Sequence, residues 1–226
     1  MGDAGVNAPK GLITLGDKTI IEESISKLVL SGISQVTVVT GFKAESYRFL
    51  ESSYPQVRLI HNEYFAESGS MESLAQALRD GPSDFLVLDS DIIYETRGLH
   101  AILEQTPGSS VLVSGRSWAG DEVWVSADNG RLTSLAKGAA LPHNCAGEFV
   151  GITRVDATLR EEMLRIAQKS AGLPLTEDYE EYVNAATGRV DIRVALVRDL
   201  VWAEIDDNAQ LIRARDTVYP KLMLGR

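Results

Sequence analysis

Cysteine and long apolar runs are scarce in this chain of 226 residues. Its single cysteine, Cys145, excludes an internal disulfide. No apolar run approaches the roughly 20 residues of a membrane-spanning helix, and no leader with a basic segment before an apolar one is found. We therefore expect a cytoplasmic protein that has no membrane partner.

Positive charge is also in short supply, and it is not clustered. The chain has 22 Lys and Arg against 32 Asp and Glu, which gives a formal net charge of −10. Binding to a nucleic-acid backbone needs concentrated positive charge, so we expect no nucleic-acid partner and favour a small polar substrate. His61, His100 and His143 lie in segments that share no motif, and we expect them to be structural or solvated.

What the sequence does contain is an alternation of short apolar strands and amphipathic helices. Apolar residues recur at helical spacing between Asp17 and Gly32, and a β-branched run over 36–40 ends at Gly41. Further predicted elements are a helix over 43–52, a strand over 57–61, a helix over 70–79 and a strand over 85–88. This order is typical of an α/β, Rossmann-like fold in which a mostly parallel mixed sheet is flanked by helices.

The alternation changes after residue 108, where a β-hairpin is predicted. Asn129-Gly130 favours a tight turn between strands over 122–127 and 131–135. The other predicted elements are strands over 111–114, 148–155, 190–197 and 200–205 and helices over 157–171, 177–186 and 208–223. We expect one domain over residues 1–226, with an inserted β element over about residues 117–147.

Two acidic pairs follow predicted strands. Asp89 and Asp91 come directly after the strand over 85–88, and Glu204 and Asp206 end the strand-like stretch before the last helix. Ligands of open α/β sheets bind beyond the carboxyl ends of the strands, and the period of two puts Asp89 and Asp91 on one side. Hard oxygen ligands of this kind suit Mg²⁺. If the two strands are neighbours, Asp206 completes a metal site that Asp91 begins.

A non-catalytic interpretation stays open for each acidic pair. Asp89 can cap a turn while Asp91 is merely solvated. Asp206 or Asp207 can be the N-cap of the last helix, a common place for aspartate. The same acidic segment can also supply both a helix cap and a metal ligand.

Lys10 stands just behind a glycine-bearing loop that includes Gly2. Folds that handle nucleoside triphosphates place positive charge there, against the phosphate oxygens. A buried strand normally precedes such a loop. We therefore expect that the natural protein starts upstream of Met1, by about 15 to 20 residues if an ordinary strand and loop precede it.

Six motifs, taken in order along nearly the whole chain, resemble those of the nucleotidyltransferases. They are Pro9-Lys10-Gly11-Leu12, Val38-Val39-Thr40-Gly41-Phe42, Asn62-x-x-Phe65 with Ser68-Gly69-Ser70-Met71 and Ser73-Leu74, Asp89-Ser90-Asp91, Gly147-Glu148-Phe149-Val150-Gly151, and Trp202-x-Glu204-Ile205-Asp206. Within that superfamily the chain looks most similar to CTP-dependent cytidylyltransferases that act on phosphocholine, 2-aminoethylphosphonate and similar small phosphorylated alcohols.

The resemblance implies transfer of a cytidylyl group from CTP to a small phosphorylated or phosphonylated amino alcohol, with Mg²⁺ as cofactor and pyrophosphate as the other product. Lys10 matches the catalytic lysine that meets the triphosphate, and Asp91 and Asp206 match the metal ligands. The nucleotide-binding set that the resemblance implies is Gly2, Lys10, Gly69, Ser70 and Asp89. Met71 and Leu74 are expected in the core.

The acceptor side of the resemblance is acidic and aromatic. The implied substrate-binding residues are Glu122, Glu148, Asp178 and Tyr179, and the inserted β element lies on this side. A carboxylate would pair with an ammonium group, and an aromatic face would favour a trimethylammonium group. Acidic residues in a first helical turn, such as Glu180, also stabilise a helix without any ligand.

Two other functions stay open. The Pro-Lys and Asp-x-Asp elements are shared with sugar-1-phosphate nucleotidyltransferases that use UTP or dTTP. The incomplete phosphate loop is also compatible with a catalytically impaired nucleotide-binding domain. A homodimer stays open as the oligomeric state.

Overall fold

The computed structural model describes residues 9–79, 81–120, 122–138, 141–169 and 174–224. Its helices are α1 (Ile20–Leu30), α2 (Phe49–Ser53), α3 (Ser70–Leu78), α4 (Thr96–Leu103), α5 (Ala157–Ala167), α6 (Tyr179–Ala186), α7 (Asn208–Arg213) and α8 (Tyr219–Leu224). Its strands are β1 (Val36–Thr40), β2 (Val57–His61), β3 (Phe85–Leu88), β4 (Ile92–Tyr94), β5 (Ser109–Ser114), β6 (Val123–Asp128), β7 (Arg131–Lys137), β8 (Cys145–Val155), β9 (Ile192–Leu196) and β10 (Trp202–Glu204).

The predicted α/β class with a mixed sheet is confirmed. Six strands form the main sheet in the order β3-β8-β5-β9-β7-β6, while β1 pairs with β2 and β4 pairs with β10. Helices α4 and α5 contact the main sheet, and α6 packs beside α5. In the described part of the chain, none of the helices combines the length and the apolar character that crossing a bilayer demands.

Strand direction differs from the expected mostly parallel arrangement. Among the described strands, only β1–β2 and β5–β9 pair in parallel, and β8 runs antiparallel to β3, β5 and β6. The hairpin contributes to this difference, because β8 pairs with β6, the first strand of the hairpin, and antiparallel neighbours need no helical crossover between them.

The hairpin forms at the predicted turn. Asn129 and Gly130 have φ values of 49° and 77°, the two positive values that this tight turn needs. Strands β6 and β7 pair over 123–128 and 131–137, and β6 continues onto the first part of β8. Both strands of the hairpin thus pair with other strands of the main sheet, because β7 also pairs with β9.

Strand β4 and helix α4 were not predicted from the sequence. Strand β4 has three residues, too few for a recognisable period, and α4 follows after one intervening residue. The predicted helix over 43–52 is a 3-10 turn at Ala44–Tyr47 followed by α2. The predicted helix over 157–171 ends at Ala167 as α5, and residues 170–171 lie outside the described ranges.

Local sequence signals explain where α1 begins and ends. Thr19 and Glu22 form a capping box, in which the threonine side chain accepts from the Glu22 N–H and Glu22 accepts from the Thr19 N–H. Gly32 has a φ of 88°, the left-handed conformation in which glycine commonly follows a helix. Buried Ile20, Ile25 and Leu28 point into the core.

The first prediction concerns the core of the main sheet. Leu112 on β5 is fully buried, whereas Leu30 at the end of α1 is 86% exposed. Leu112→Ala leaves a cavity and should lower the free energy of unfolding in urea by about 2–5 kcal/mol. The matched change Leu30→Ala should alter it by less than about 0.5 kcal/mol. Equal losses in both variants would contradict the described packing.

Candidate functional site

The pairing of β4 with β10 brings the two acidic pairs together. Glu204 lies opposite Ile92 in the register, and the N–H of Ile205 donates to the carbonyl of Asp91 at 3.0 Å. As a result, carboxylate oxygens of Asp91, Glu204 and Asp206 lie within 4.8 Å of one another. The structure therefore gathers Asp91 with Asp206 and adds Glu204, which the sequence analysis had placed in the acidic pair without assigning it to the metal.

Lys10 lies between two of these carboxylates. Its ammonium group is 3.1 Å from Asp91 and forms a second ion pair with Asp206. Gly11 places it there. A Cβ on Gly11 would lie 3.3 Å from the carbonyl oxygen of Ser90, so the turn that carries Lys10 packs closely on the segment that carries Asp91.

The charges in this cluster shift one another's pKa values. Partial burial opposes the charge of Lys10, but the two carboxylates outweigh it and raise the lysine pKa. Burial raises the pKa of Asp91, while Lys10 acts in the opposite direction and Asp206 adds to the increase. Three carboxylates at one place repel each other, so the arrangement depends on a cation among them.

The three oxygen donors fit Mg²⁺. Mg²⁺ is bound in proteins by one or two carboxylates and keeps other positions for water and phosphate oxygens. Asp206 is exposed and Asp91 is half-buried, so the cluster is open on one side to such ligands. The N-cap of α7 is Asp207, whose side chain accepts from the Gln210 N–H at 2.8 Å, and this leaves Asp206 available to the cluster.

Asp89 lies apart from the three clustered carboxylates. Its N–H donates to the carbonyl of Gly151 at 3.0 Å, and its side chain packs where a Cβ on Gly151 would be, 2.4 Å from that position. Burial raises the pKa of Asp89 well above its usual value, and the neighbouring Asp91 and Glu180 raise it further.

The predicted nucleotide segment contacts the predicted acceptor segment. The N–H of Ser70, the first residue of α3, donates to the Asp178 carboxylate at 3.0 Å, and the Ser70 hydroxyl accepts from the Tyr179 N–H at 2.9 Å. Gly69 allows this approach, because a Cβ there would lie 2.2 Å from the carbonyl oxygen of Glu177. Tyr179 is buried, with its ring against Phe149 at 6.5 Å between centroids.

A buried amide supports the same segment and was not assigned a role from the sequence. Asn62 is 1% exposed and donates to the hydroxyls of Ser68 and Ser73 at 3.0 and 3.1 Å. Its oxygen accepts from Gln76 at 3.0 Å. The Asn62-x-x-Phe65 motif singled out Asn62 in the sequence, but it did not predict any of these hydrogen bonds. Met71 and Leu74 are buried, as expected.

An acidic pocket adjoins the carboxylate cluster. Its charged lining residues are Asp89, Glu122, Glu148, Glu180, Glu204, Asp206 and Lys137. Two of the predicted acceptor residues thus line it, Glu122 and Glu148, whereas Asp178 and Tyr179 do not. Against one lysine, six carboxylates give this pocket a strong preference for a cationic ligand.

Glu122 and Glu148 are held in place by one loop after β5. Arg116 donates to Glu122 at 3.0 Å, and the Ser117 hydroxyl donates to Glu148 at 2.8 Å. Desolvation opposes the charge of Glu122, but the hydrogen bond and charge of Arg116 lower its pKa overall. Both carboxylates are therefore held in fixed positions.

The same loop presents an aromatic residue that the sequence analysis missed. Trp118 is 74% exposed, has a φ of 63°, and stacks on the Arg116 guanidinium at 4.0 Å from the ring centroid. No motif marked it. Gly2, the remaining predicted nucleotide-binding residue, lies outside the described residues.

Comparison with known proteins gives consistent results. A model of the MobA-like NTP transferase domain family matches residues 1–140. The 2-aminoethylphosphonate cytidylyltransferase of Lancefieldella rimae is 26% identical over 209 residues, which span 90% of this chain and 82% of that protein. The CMP-5'-(3-aminopropyl)phosphonate synthase of Streptomyces rubellomurinus is 25% identical over 92% of this chain, which is 35% of that longer protein.

Solved structures share the fold. The CTP:phosphocholine cytidylyltransferase of Streptococcus pneumoniae aligns with a TM-score of 0.75 and 18% identity, over 93% of this chain and 90% of that one. The inositol-1-phosphate CTP transferase of T. maritima aligns with a TM-score of 0.77 and 15% identity, over 98% of this chain and 90% of that one.

The second prediction tests the close approach at Gly69. Because an added Cβ would collide with the backbone of Glu177, Gly69→Ala should lower the free energy of unfolding by about 1–3 kcal/mol. Gly188→Ala is the control, since a Cβ there has open space. Urea unfolding of both variants makes the comparison. A stability unchanged by Gly69→Ala would show that the two segments do not pack as described.

Proposed function

This chain belongs to the MobA-like NTP transferase domain family, and we propose on that basis that it transfers a cytidylyl group from CTP to a small acceptor, releasing pyrophosphate. The acceptor carries a phosphate or phosphonate at one end and an ammonium group at the other. The observation that carries the proposal is the gathering of Asp91, Glu204 and Asp206 around Lys10, beside an acidic pocket.

The proposed reaction needs no general base. An anionic oxygen of the acceptor attacks the α-phosphorus of CTP, an O–P bond forms, and the bond to pyrophosphate breaks. The attacking oxygen is already ionised near neutral pH, so catalysis rests on positioning and on neutralising charge. The residues of the site match this requirement, because they supply a cation and cation ligands at one place.

Each residue of the cluster has a proposed role. Asp91, Glu204 and Asp206 would hold Mg²⁺, which supplies positive charge to the triphosphate oxygens when it is bound. Lys10 would leave its two carboxylates and donate to the triphosphate, where its fixed charge opposes the negative charge that develops on pyrophosphate. Gly69 and Ser70 would lie against the pyrimidine base, since the small side chains allow a close backbone approach.

The acceptor's ammonium group would enter the acidic pocket. Glu122 and Lys137 belong to the predicted inserted element over 117–147, and Glu148 directly follows it. We therefore assign this element to the acceptor side of a single domain. Asp178 would act indirectly. Its carboxylate accepts from the N–H of Ser70 and so connects the proposed acceptor side to the proposed nucleotide side.

The function is tested by measuring pyrophosphate release from full-length protein with Mg²⁺. CTP should support release with 2-aminoethylphosphonate or phosphocholine, and chelation of the metal with EDTA should stop it. Greater activity with UTP or dTTP and glucose 1-phosphate would favour the sugar-nucleotide alternative. Nucleotide binding without turnover on any acceptor would favour a catalytically impaired domain.

The third prediction concerns the carboxylate that anchors the cluster. Asp91→Asn keeps the shape of the side chain but removes its charge, and it should lower kcat/KM by about 100-fold or more. Asp128→Asn is the matched control, since Asp128 is exposed at the end of β6. The control should have wild-type activity. Equal activity of both variants would remove Asp91 from the site.

The fourth prediction concerns the lysine. Lys10→Gln removes the cation that contacts both Asp91 and Asp206, and it should also lower kcat/KM by about 100-fold or more. Exposed Lys18, whose ammonium group donates to Ser26, provides the control Lys18→Gln. Initial rates of pyrophosphate release give both values. Full activity of Lys10→Gln would contradict a role in triphosphate binding.

A further inference from the structure

A second cavity, of about 290 Å³, lies on the other side of the loop after β5. Its walls are the segment over 114–117, the turn over 198–202 and the C-terminal helical segment over 208–224. Gly115 joins two of these walls, because its N–H donates to the Arg198 carbonyl at 3.0 Å and a Cβ would lie 2.6 Å from that oxygen. Among the residues that the structure describes, none lines both this cavity and the acidic pocket.

Positive charge is concentrated in this second cavity. Arg198, Arg213 and Lys221 line it, and none of the three has an acidic partner among the residues that the structure describes. The acidic lining residue, Asp199, forms an ion pair with Arg97 at 3.0 Å. In a chain with a net charge of −10, such a cluster attracts anions locally.

One donor of the Arg213 side chain lacks a hydrogen-bond partner among the described residues. Its Nη2 donates to the carbonyl of Ser117 at 2.6 Å, which fixes the plane of the guanidinium group. Its Nη1 is buried and has no hydrogen-bond partner among the described residues. A buried charged donor without an acceptor is costly, so this guanidinium group favours an oxyanion that reaches it from the cavity that Arg213 lines.

We propose that this cavity binds a small anion that carries a phosphate group. The guanidinium group of Arg198 comes from the turn over 198–202, and Arg213 and Lys221 come from the C-terminal helical segment, so two walls of the cavity supply cations to a tetrahedral anion. Arginine matches phosphate with paired N–H donors, and the Thr217 hydroxyl adds a neutral donor at the same cavity. The size is near the lower end of the range for small-molecule sites.

The proposed anion site is connected to the acidic pocket through Ser117. Ser117 accepts from Arg213 through its carbonyl and donates to Glu148 through its hydroxyl and its N–H. An anion that engages Arg213 therefore acts on the residue that positions a carboxylate of the other pocket. The anion site itself does not depend on the proposed transfer reaction.

The fifth prediction is tested by isothermal titration calorimetry of the full chain with inorganic phosphate, in EDTA. Arg198→Gln/Lys221→Gln should weaken binding by about tenfold or more, because two charged donors are removed. Both side chains are exposed, so the fold should persist, and thermal unfolding checks this. Lys18→Gln/Arg58→Gln removes the same charge from exposed positions elsewhere and should bind as the wild type does.

Four results would overturn the proposal. The first is equal phosphate affinity of wild type and Arg198→Gln/Lys221→Gln, and the second is no binding to the wild type. The third is loss of binding in Lys10→Gln with retention in the Arg198/Lys221 variant, which would place phosphate at the carboxylate cluster instead. Acetate serves as a planar carboxylate probe, and affinity equal to that of phosphate would exclude the assignment to the phosphate class.

Discussion

The antiparallel pairing of β4 with β10 is the interaction on which the candidate site depends. It joins a strand that follows Asp91 to one that precedes Asp206, and the Ile205–Asp91 backbone hydrogen bond holds the two acidic segments side by side. Backbone pairing of this kind is needed because the carboxylates repel one another. Lys10 offsets that repulsion from a third segment, and Gly11 lets the turn that carries it approach.

The loop after β5 lies between an acidic pocket and a basic cavity. The segment over 114–117 has an acidic pocket on one side, to which Arg116 and Ser117 fix two glutamates, and a basic cavity on the other, to which Ser117 fixes Arg213. A chain with a large negative charge thereby keeps one region of positive potential. Because Ser117 bonds to both sides, movement of this loop would change both cavities together.

Local signals predicted many of the elements. The strands over 36–40, 57–61 and 85–88 agree with β1, β2 and β3, and the Asn-Gly turn agrees with the hairpin, because a short β-branched run or a positive-φ turn is decided by near neighbours. Strand β4 was missed, since three residues show no period. Its partner β10 is remote in sequence, so β4 is recognised only from its pairing in the tertiary structure. The antiparallel course of β8 was missed for the same reason.

The sequence by itself determined the α/β class, the family motifs and the carboxylates and lysine that form the cluster, because residue identity and local spacing carry that information. Tertiary structure alone decided that Asp91 and Asp206 meet, that Glu204 joins them, and that Tyr179 is buried. It also decided that Arg198, Arg213 and Lys221 share one cavity. These are contacts between remote segments, and they follow from strand pairing and packing over the whole chain, which no local pattern encodes.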